Sequence, residues 1–87
     1  MRYTFTAIYV DGEDGWIVGY LEELPGVVGQ GRTIEETERS LREAAELVLR
    51  FNRERTAEAF QGRRVAKREM ITVRDYAHIF RRGRGEA

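Results

Sequence analysis

The stretch LPGVVGQGRTIEE, residues 24–36, lies between a segment of alternating pattern and a segment of helical periodicity, and it decides the fold. Pro25 cannot donate to a β-ladder, so it ends whatever strand precedes it. The β-branched run over 27–30 indicates a short strand. Thr33 is a good helix N-cap, and Glu36 three residues later completes a capping-box pattern that contributes roughly 1 kcal/mol. The stretch therefore predicts a turn, a short strand and a helix start.

The segments on either side complete an α+β arrangement. Residues 3–10 and 16–22 alternate in polarity and are joined by the turn sequence DGEDG, which predicts a hairpin. Residues 34–59 carry one apolar stripe at helical spacing: Ile34, Leu41, Ala44, Ala45, Val48 and Phe51. Residues 69–75 are β-rich and predict a fourth strand. The expected order is β-β-β-α-β, with one long helix packed on one face of an antiparallel sheet.

The predicted helix is too long for the predicted sheet. A helix over 34–59 spans about 39 Å, whereas a seven-residue strand covers about 23 Å. Its last turns are therefore expected to bend or overhang, and two phenylalanines lie there. We expect Phe51 and Phe60 to contribute to a homo-oligomer interface, in a dimer or a tetramer.

Composition narrows the chemistry. The 87-residue chain has no cysteine and one histidine, which excludes disulfides, thiolate metal sites and a two-histidine site within one chain. No apolar run approaches the roughly 20 residues of a membrane span, and the N-terminus lacks a signal-peptide core, so a cytoplasmic location is expected. The net charge is zero, but residues 1–31 carry −4 and residues 60–87 carry +5. That asymmetry indicates a partner or self-association.

The glycines of the opening stretch raise the alternative of a phosphate site. A dinucleotide fingerprint has the spacing G-x-G-x-x-G after a strand, whereas Gly26, Gly29 and Gly31 have the spacing G-x-x-G-x-G, with no Walker-type lysine. This spacing favours glycines that shape the turn and the helix start, and no cofactor is expected.

Catalytic alternatives also have little support. The acidic side chains before residue 24 could form a Mg²⁺ nuclease cluster, but such a turn is more often only solvated. Ser40 and His78 are the one serine and the one histidine, and no base or orienting acid can be assigned to them. We therefore interpret the chain as a non-enzymatic protein without a metal site.

The basic end of the chain leaves a nucleic-acid alternative open. Its cations could contact phosphates, and KREMITVR (67–74) looks like the strand of a ribbon-helix-helix DNA binder, although 13 residues after Arg74 are too few for that module's two helices. The candidate nucleic-acid contacts are Arg63, Arg64, Lys67, Arg68, Arg74, Arg81, Arg82 and Arg84.

Taken together, WIVGYLEELPGVVGQGRTIEETERSLREAAELVL resembles the HicB-like antitoxins of toxin–antitoxin pairs. The resemblance covers roughly residues 3–51. Val27 stands where a cysteine is common in the family. The residues that match the family's Leu-Pro-Gly and Gly-x-Thr elements and its helix start are Leu24, Pro25, Gly26, Gln30, Gly31, Thr33, Ile34, Glu35 and Glu36.

This resemblance implies a partial ribonuclease-H-like fold without that enzyme's catalytic acids. It also implies a HicB-like domain over 1–75, followed by a basic C-terminal tail over 76–87. Family members bind and neutralise a small RNA-cleaving HicA-type toxin, and many carry a DNA-binding domain that is absent here. A stand-alone family member without a toxin remains an alternative. The candidate toxin contacts are Asp11, Glu13, Asp14, Glu22 and Glu23.

Overall fold

The computed structural model describes residues 2–74 of the chain. Strands β1 (Ala7–Asp11), β2 (Ile17–Leu21) and β3 (Val28–Gly31) precede one helix, α1 (Ile34–Ala59). The strands form an antiparallel sheet in the order β1-β2-β3. The α+β fold with one long helix packed on an antiparallel sheet is therefore confirmed.

Strand β1 is shorter than its sequence pattern because its partner ends. Ala7 pairs with Leu21, and one further ladder bond joins the Glu22 backbone N–H to the Thr6 carbonyl at 2.9 Å. After Glu22 the chain leaves β2 and enters a turn, so the residues before Thr6 have no partner strand. The alternation predicted for this strand is correct: Ala7 and Tyr9 are half-buried, whereas Ile8 and Val10 on the other face of the sheet are exposed.

Three glycines allow the helix to lie directly on the sheet. A Cβ on Gly19 would lie 2.7 Å from Leu41 Cδ1, and one on Gly29 would lie 2.7 Å from the Leu41 backbone nitrogen. A Cβ on Gly31 would lie 2.6 Å from Glu36 Cβ. Real Cβ atoms do not approach other atoms so closely. Gly29 and Gly31 of the opening stretch therefore provide close packing.

The core between the helix and the sheet is small. Val27, Leu41 and Ala45 are its buried hydrophobic residues. Thr37 is fully buried beside them, and its hydroxyl donates to the Thr33 carbonyl at 2.8 Å. Half-buried side chains surround this centre: Ala7, Tyr9, Leu21, Leu24, Ala44 and Val48.

The helix covers the sheet unevenly. It packs most extensively on β3 and least on β1. Its C-terminal part has no sheet beneath it, since every residue from 51 to 60 is exposed. The Cα radius of gyration is 16.6 Å, against about 12 Å for a compact domain of this length. The helix therefore overhangs the sheet, as its length predicts.

The prediction of a fourth strand over 69–75 is wrong for residues 69–74, which have no regular secondary structure. Met70 is 83% exposed, and Ile71 and Val73 are each 75% exposed. β-propensity describes how a segment fits a sheet that accepts it, and this segment meets no strand among the described residues. Residue 75 and the basic tail over 76–87 lie outside the described residues.

Candidate partner-binding surfaces

An acidic turn connects β1 to β2 at one end of the sheet. We use this name for Asp11, Glu13 and Asp14, all of which are exposed. A single 3₁₀ turn over Glu13–Gly15 forms its tip, and Asp14 adopts a positive φ of 56°. The Gly12 N–H donates to the Trp16 carbonyl at 2.7 Å. These three carboxylates therefore project from a tight, hydrogen-bonded turn.

Arg32 fastens the acidic turn to the start of the helix. Its guanidinium lies 4.3 Å from the centre of the Trp16 ring, and its Nη1 donates to the Asp14 carbonyl at 2.5 Å. The Arg32 backbone N–H donates to the Glu36 carboxylate at 2.8 Å. Arg32 is not among the residues that the sequence predicts to be functional. In the sequence, its role is indicated only by its position just before the Thr33 N-cap and by the presence of a tryptophan, Trp16, near the turn.

The other two candidate acids lie at the opposite end of the sheet. Glu22 and Glu23 follow β2, whereas the acidic turn precedes it. A five-residue strand such as β2 spans about 17 Å. The structure therefore divides the five acids into two groups and does not bring them together on one patch.

Glu23 braces the sheet. Its carboxylate accepts from the Thr6 backbone N–H and from the Thr6 hydroxyl, each at 2.6 Å. The hydroxyl bond, followed by the backbone bond, holds the pKa of Glu23 below its ordinary value. The carboxylate thus stabilises the end of the hairpin in its charged form.

The lowered pKa of Glu23 predicts a pH dependence of stability. The stabilisation is fully present above the ordinary glutamate pKa of about 4.3, and it is lost as the pH falls through the lower folded-state pKa. In Glu23→Gln the free energy of unfolding is expected to fall less as the pH is lowered through the folded-state pKa of Glu23, because the variant has no carboxylate to protonate at this position. Urea unfolding followed by circular dichroism at a series of pH values measures it. Glu22→Gln is the matched control, and an equal change in that variant would contradict the assignment.

The motif residues have structural positions. Gly26 adopts a φ of 92°, which completes the turn after Pro25. The Glu36 backbone N–H donates to Thr33 Oγ1 at 3.0 Å, which confirms the N-cap. The carboxylate of Glu36 reaches the N–H of Arg32. The phosphate alternative gains no support, because these glycines and backbone donors serve the turn and the cap.

The two phenylalanines proposed for self-association do not form one patch. Phe51 is 55% exposed and Phe60 is 36% exposed. They lie nine positions apart, which at 3.6 residues per turn places them on opposite sides of the helix axis. Leu47, one turn before Phe51, is 61% exposed and extends the Phe51 side. Phe60 lines a separate shallow groove with Tyr3 and Arg53.

The described candidate nucleic-acid contacts follow the helix in a segment without regular structure. Arg63, Arg64, Lys67 and Arg68 are all exposed. Lys67 Nζ lies 3.5 Å from a carboxylate oxygen of Glu69. Arg74 is also exposed, and Arg81, Arg82 and Arg84 lie outside the described residues.

The catalytic alternatives gain nothing from the structure. Ser40 Oγ accepts from the Gln30 backbone N–H at 3.2 Å, so this hydroxyl joins the helix to β3. His78 lies outside the described residues. Within residues 2–74, no group of three or more potential metal ligands is gathered. In the same part of the chain, no helix combines the length and apolar character that a membrane crossing requires.

A second groove opens between β1 and the helix. It has a volume of about 280 Å³. It exists because the helix lies mainly over β3, which leaves the helix-facing side of β1 partly uncovered. Its lining is mostly apolar and includes Phe5, Ala7, Leu21, Leu41 and Ala45.

Comparison of the chain with protein-family models, with curated proteins and with solved structures gives no match. Functional inference therefore depends on the residues and their arrangement.

Proposed function

We propose that this chain is a cytoplasmic, non-enzymatic antitoxin-like protein of the HicB-like class, which binds and neutralises a small RNA-cleaving HicA-type toxin. The observation that carries the proposal is the combined motif. Leu24, Pro25 and Gly26 end a hairpin, and Gly31 leads into the Thr33 cap of a long helix. The order of three antiparallel strands and one helix supports the same class.

The acidic turn is the part best suited to meet such a toxin. An RNA-cleaving protein presents a basic surface to its substrate, and the three exposed carboxylates of the turn have the opposite charge. Their backbone is held by the Arg32–Trp16 contact, so little ordering is required on binding. Complementary charge mainly raises the association rate and the selectivity. The neighbouring apolar surface of the sheet, which includes Val10 and Tyr20, would supply desolvated contact area.

Charge reversal tests this placement. Asp11→Lys with Glu13→Lys is expected to weaken binding to a HicA-type toxin by roughly tenfold or more at low salt, a loss of about 1.4 kcal/mol. The difference from wild type should narrow as salt rises, because exposed charges are screened. Calorimetric titration across a salt series measures both effects.

One charge-matched variant and one single-site variant accompany that experiment. Glu54→Lys with Glu58→Lys makes the same charge change on the overhanging helix, and Glu22→Lys tests the acid group at the other end of the sheet. Both are expected to bind nearly as wild type. Equal weakening in all three variants would indicate a general charge effect and would remove the acidic turn from the interface.

Self-association is part of the proposal. Leu47 and Phe51 expose apolar surface one turn apart on a helix that extends beyond its sheet, and exposed apolar patches commonly mark interfaces. A dimer or tetramer would cover it. A monomeric mass in light scattering at micromolar concentration would contradict this part.

The alternative is a small nucleic-acid-binding regulator, and the exposed cations at 63, 64, 67 and 68 favour it. A mobility shift with the DNA upstream of the gene that fades with salt would support it. A stand-alone family member of another role is indicated if no small basic protein is encoded alongside and no DNA is bound.

A further inference from the structure

Strand β1 is a free sheet edge. The Thr6 carbonyl faces β2, and backbone groups alternate in direction along an antiparallel strand. The N–H and C=O groups of Ala7 and Tyr9 therefore point away from β2. No other described strand pairs with β1. Unpaired groups in such a row are a template for another strand.

The opposite edge is better protected. The Gln30 N–H points outward from β3 but is already bonded to Ser40 Oγ. The helix also lies mainly over that side of the sheet. An additional strand would therefore pair with the β1 edge of the sheet.

The groove beside β1 suits the side chains of an added strand. Successive residues of a strand point to opposite faces, so alternate side chains of a segment paired with β1 would enter the groove beside Ala7 and Leu41. Strand addition of this kind takes affinity from backbone bonds and specificity from such pockets.

The chain itself carries a segment of matching chemistry. Residues 69–73 contain neither glycine nor proline, and three of the five are apolar and largely exposed: Met70, Ile71 and Val73. With a period of two, Glu69, Ile71 and Val73 share one face, while Met70 and Thr72 share the other. Ile71 and Val73 match the mostly apolar lining of the groove, and Glu69 lies at the end of the same face.

A second copy of this chain supplies both the segment and a complementary charge. Residues 63–68 carry four cations, and the acidic turn at the end of β1 carries three carboxylates. Each copy has one open β1 edge and one unpaired segment over 69–73. In a two-fold symmetric dimer, each segment can therefore pair with the β1 edge of the other copy, and no edge or segment remains unpaired. Within a single copy, the segment is exposed and pairs with none of the described strands.

We propose that residues 69–73 of one copy pair with the β1 edge of a second copy, and reciprocally, so that the predicted fourth strand forms only on association. Ile71 and Val73 enter the groove, and Met70 and Thr72 lie on the outer sheet face beside Ile8. The β1 edge and the groove lie outside the proposed toxin contact, whereas the acidic turn takes part in both interactions.

Because the chain has no native cysteine, any disulfide between chains must form between the introduced cysteines. Full-length Ile8→Cys chains are mixed with Met70→Cys or Thr72→Cys chains under oxidised glutathione. We expect a mixed-chain disulfide of about twice the 10.1 kDa chain mass, at ten times the yield found when Val28→Cys replaces Ile8→Cys. Val28 lies on the same face but on β3, and it is 53% exposed.

Three results would overturn the proposal. Equal yields with Ile8→Cys and Val28→Cys would indicate random collision. No disulfide with either donor position would show that the edge is unused. A chain that carries both Ile8→Cys and Thr72→Cys and closes on itself, while the mixtures give nothing, would make the occupant the chain's own segment.

Discussion

Gly29→Ala is expected to lower the free energy of unfolding by about 3 kcal/mol, at the upper end of the usual cost of overpacking. The new Cβ would lie 2.7 Å from the Leu41 backbone nitrogen and 3.0 Å from the Thr37 carbonyl oxygen. Neither atom can rotate away, so the whole helix must lift from the sheet. Urea unfolding followed by helical circular dichroism measures the loss.

Gly19→Ala is the matched control for this prediction. Its Cβ would meet Leu41 Cδ1 at 2.7 Å, which is the far end of a flexible side chain. We expect a smaller loss, and we expect it to shrink further in a Leu41→Val background. The loss from Gly29→Ala should persist in that background because the colliding atoms belong to the backbone. Equal losses at the two glycines, both relieved by Leu41→Val, would contradict the close-packing explanation.

The elements that the sequence predicts well are those with local causes. The helix bounds at Ile34 and Ala59 agree with the prediction, because the Thr33 cap and the apolar stripe both lie within or next to the helix. The hairpin and the short third strand are confirmed for the same reason. Each depends on residue pattern and turn chemistry within a few positions.

The role of the glycines could not be predicted in the same way. Their spacing argues against a phosphate site, but the reason for Gly29 and Gly31 is the distance between the helix and the sheet. That distance is set by how the helix packs on the sheet, and no pattern of neighbouring residues in the sequence indicates it. Thr37 was missed similarly, since a threonine within a charged helix gives no sign of being fully buried.

The predicted candidate sites differ most from the observed ones where residues that are close in sequence are separated in the structure. Glu22 and Glu23 are near the acidic turn in sequence, but a strand separates them from it. Phe51 and Phe60, the C-cap residue of the same helix, lie on opposite sides of the helix axis. The fourth strand is not formed in residues 69–74 because local β-propensity does not place the segment beside a pairing edge. Pairing across copies would provide one, which is why the disulfide experiment bears on the fold as well as on association.

Leu41→Ala is expected to cost roughly 3–4 kcal/mol, within the range for truncating a buried leucine. Leu41 is 2% exposed and lies beneath Gly19 and Gly29. Only Val27 and Ala45 are buried hydrophobic residues with it among those described. A chain of this length has about 4–13 kcal/mol of total stability, so the change removes a large share. The midpoint of urea unfolding should fall accordingly.

Leu47→Ala makes the same chemical change on the same helix at a position that is 61% exposed. Leucine and alanine are both good helix formers, so the comparison isolates burial. We expect a loss below about 0.5 kcal/mol at low protein concentration. If Leu47 lies in a homo-oligomer interface, its loss should grow with protein concentration, since association stabilises by mass action, whereas the deficit caused by Leu41→Ala should not. Similar, concentration-independent losses in both variants would show that the core does not centre on Leu41.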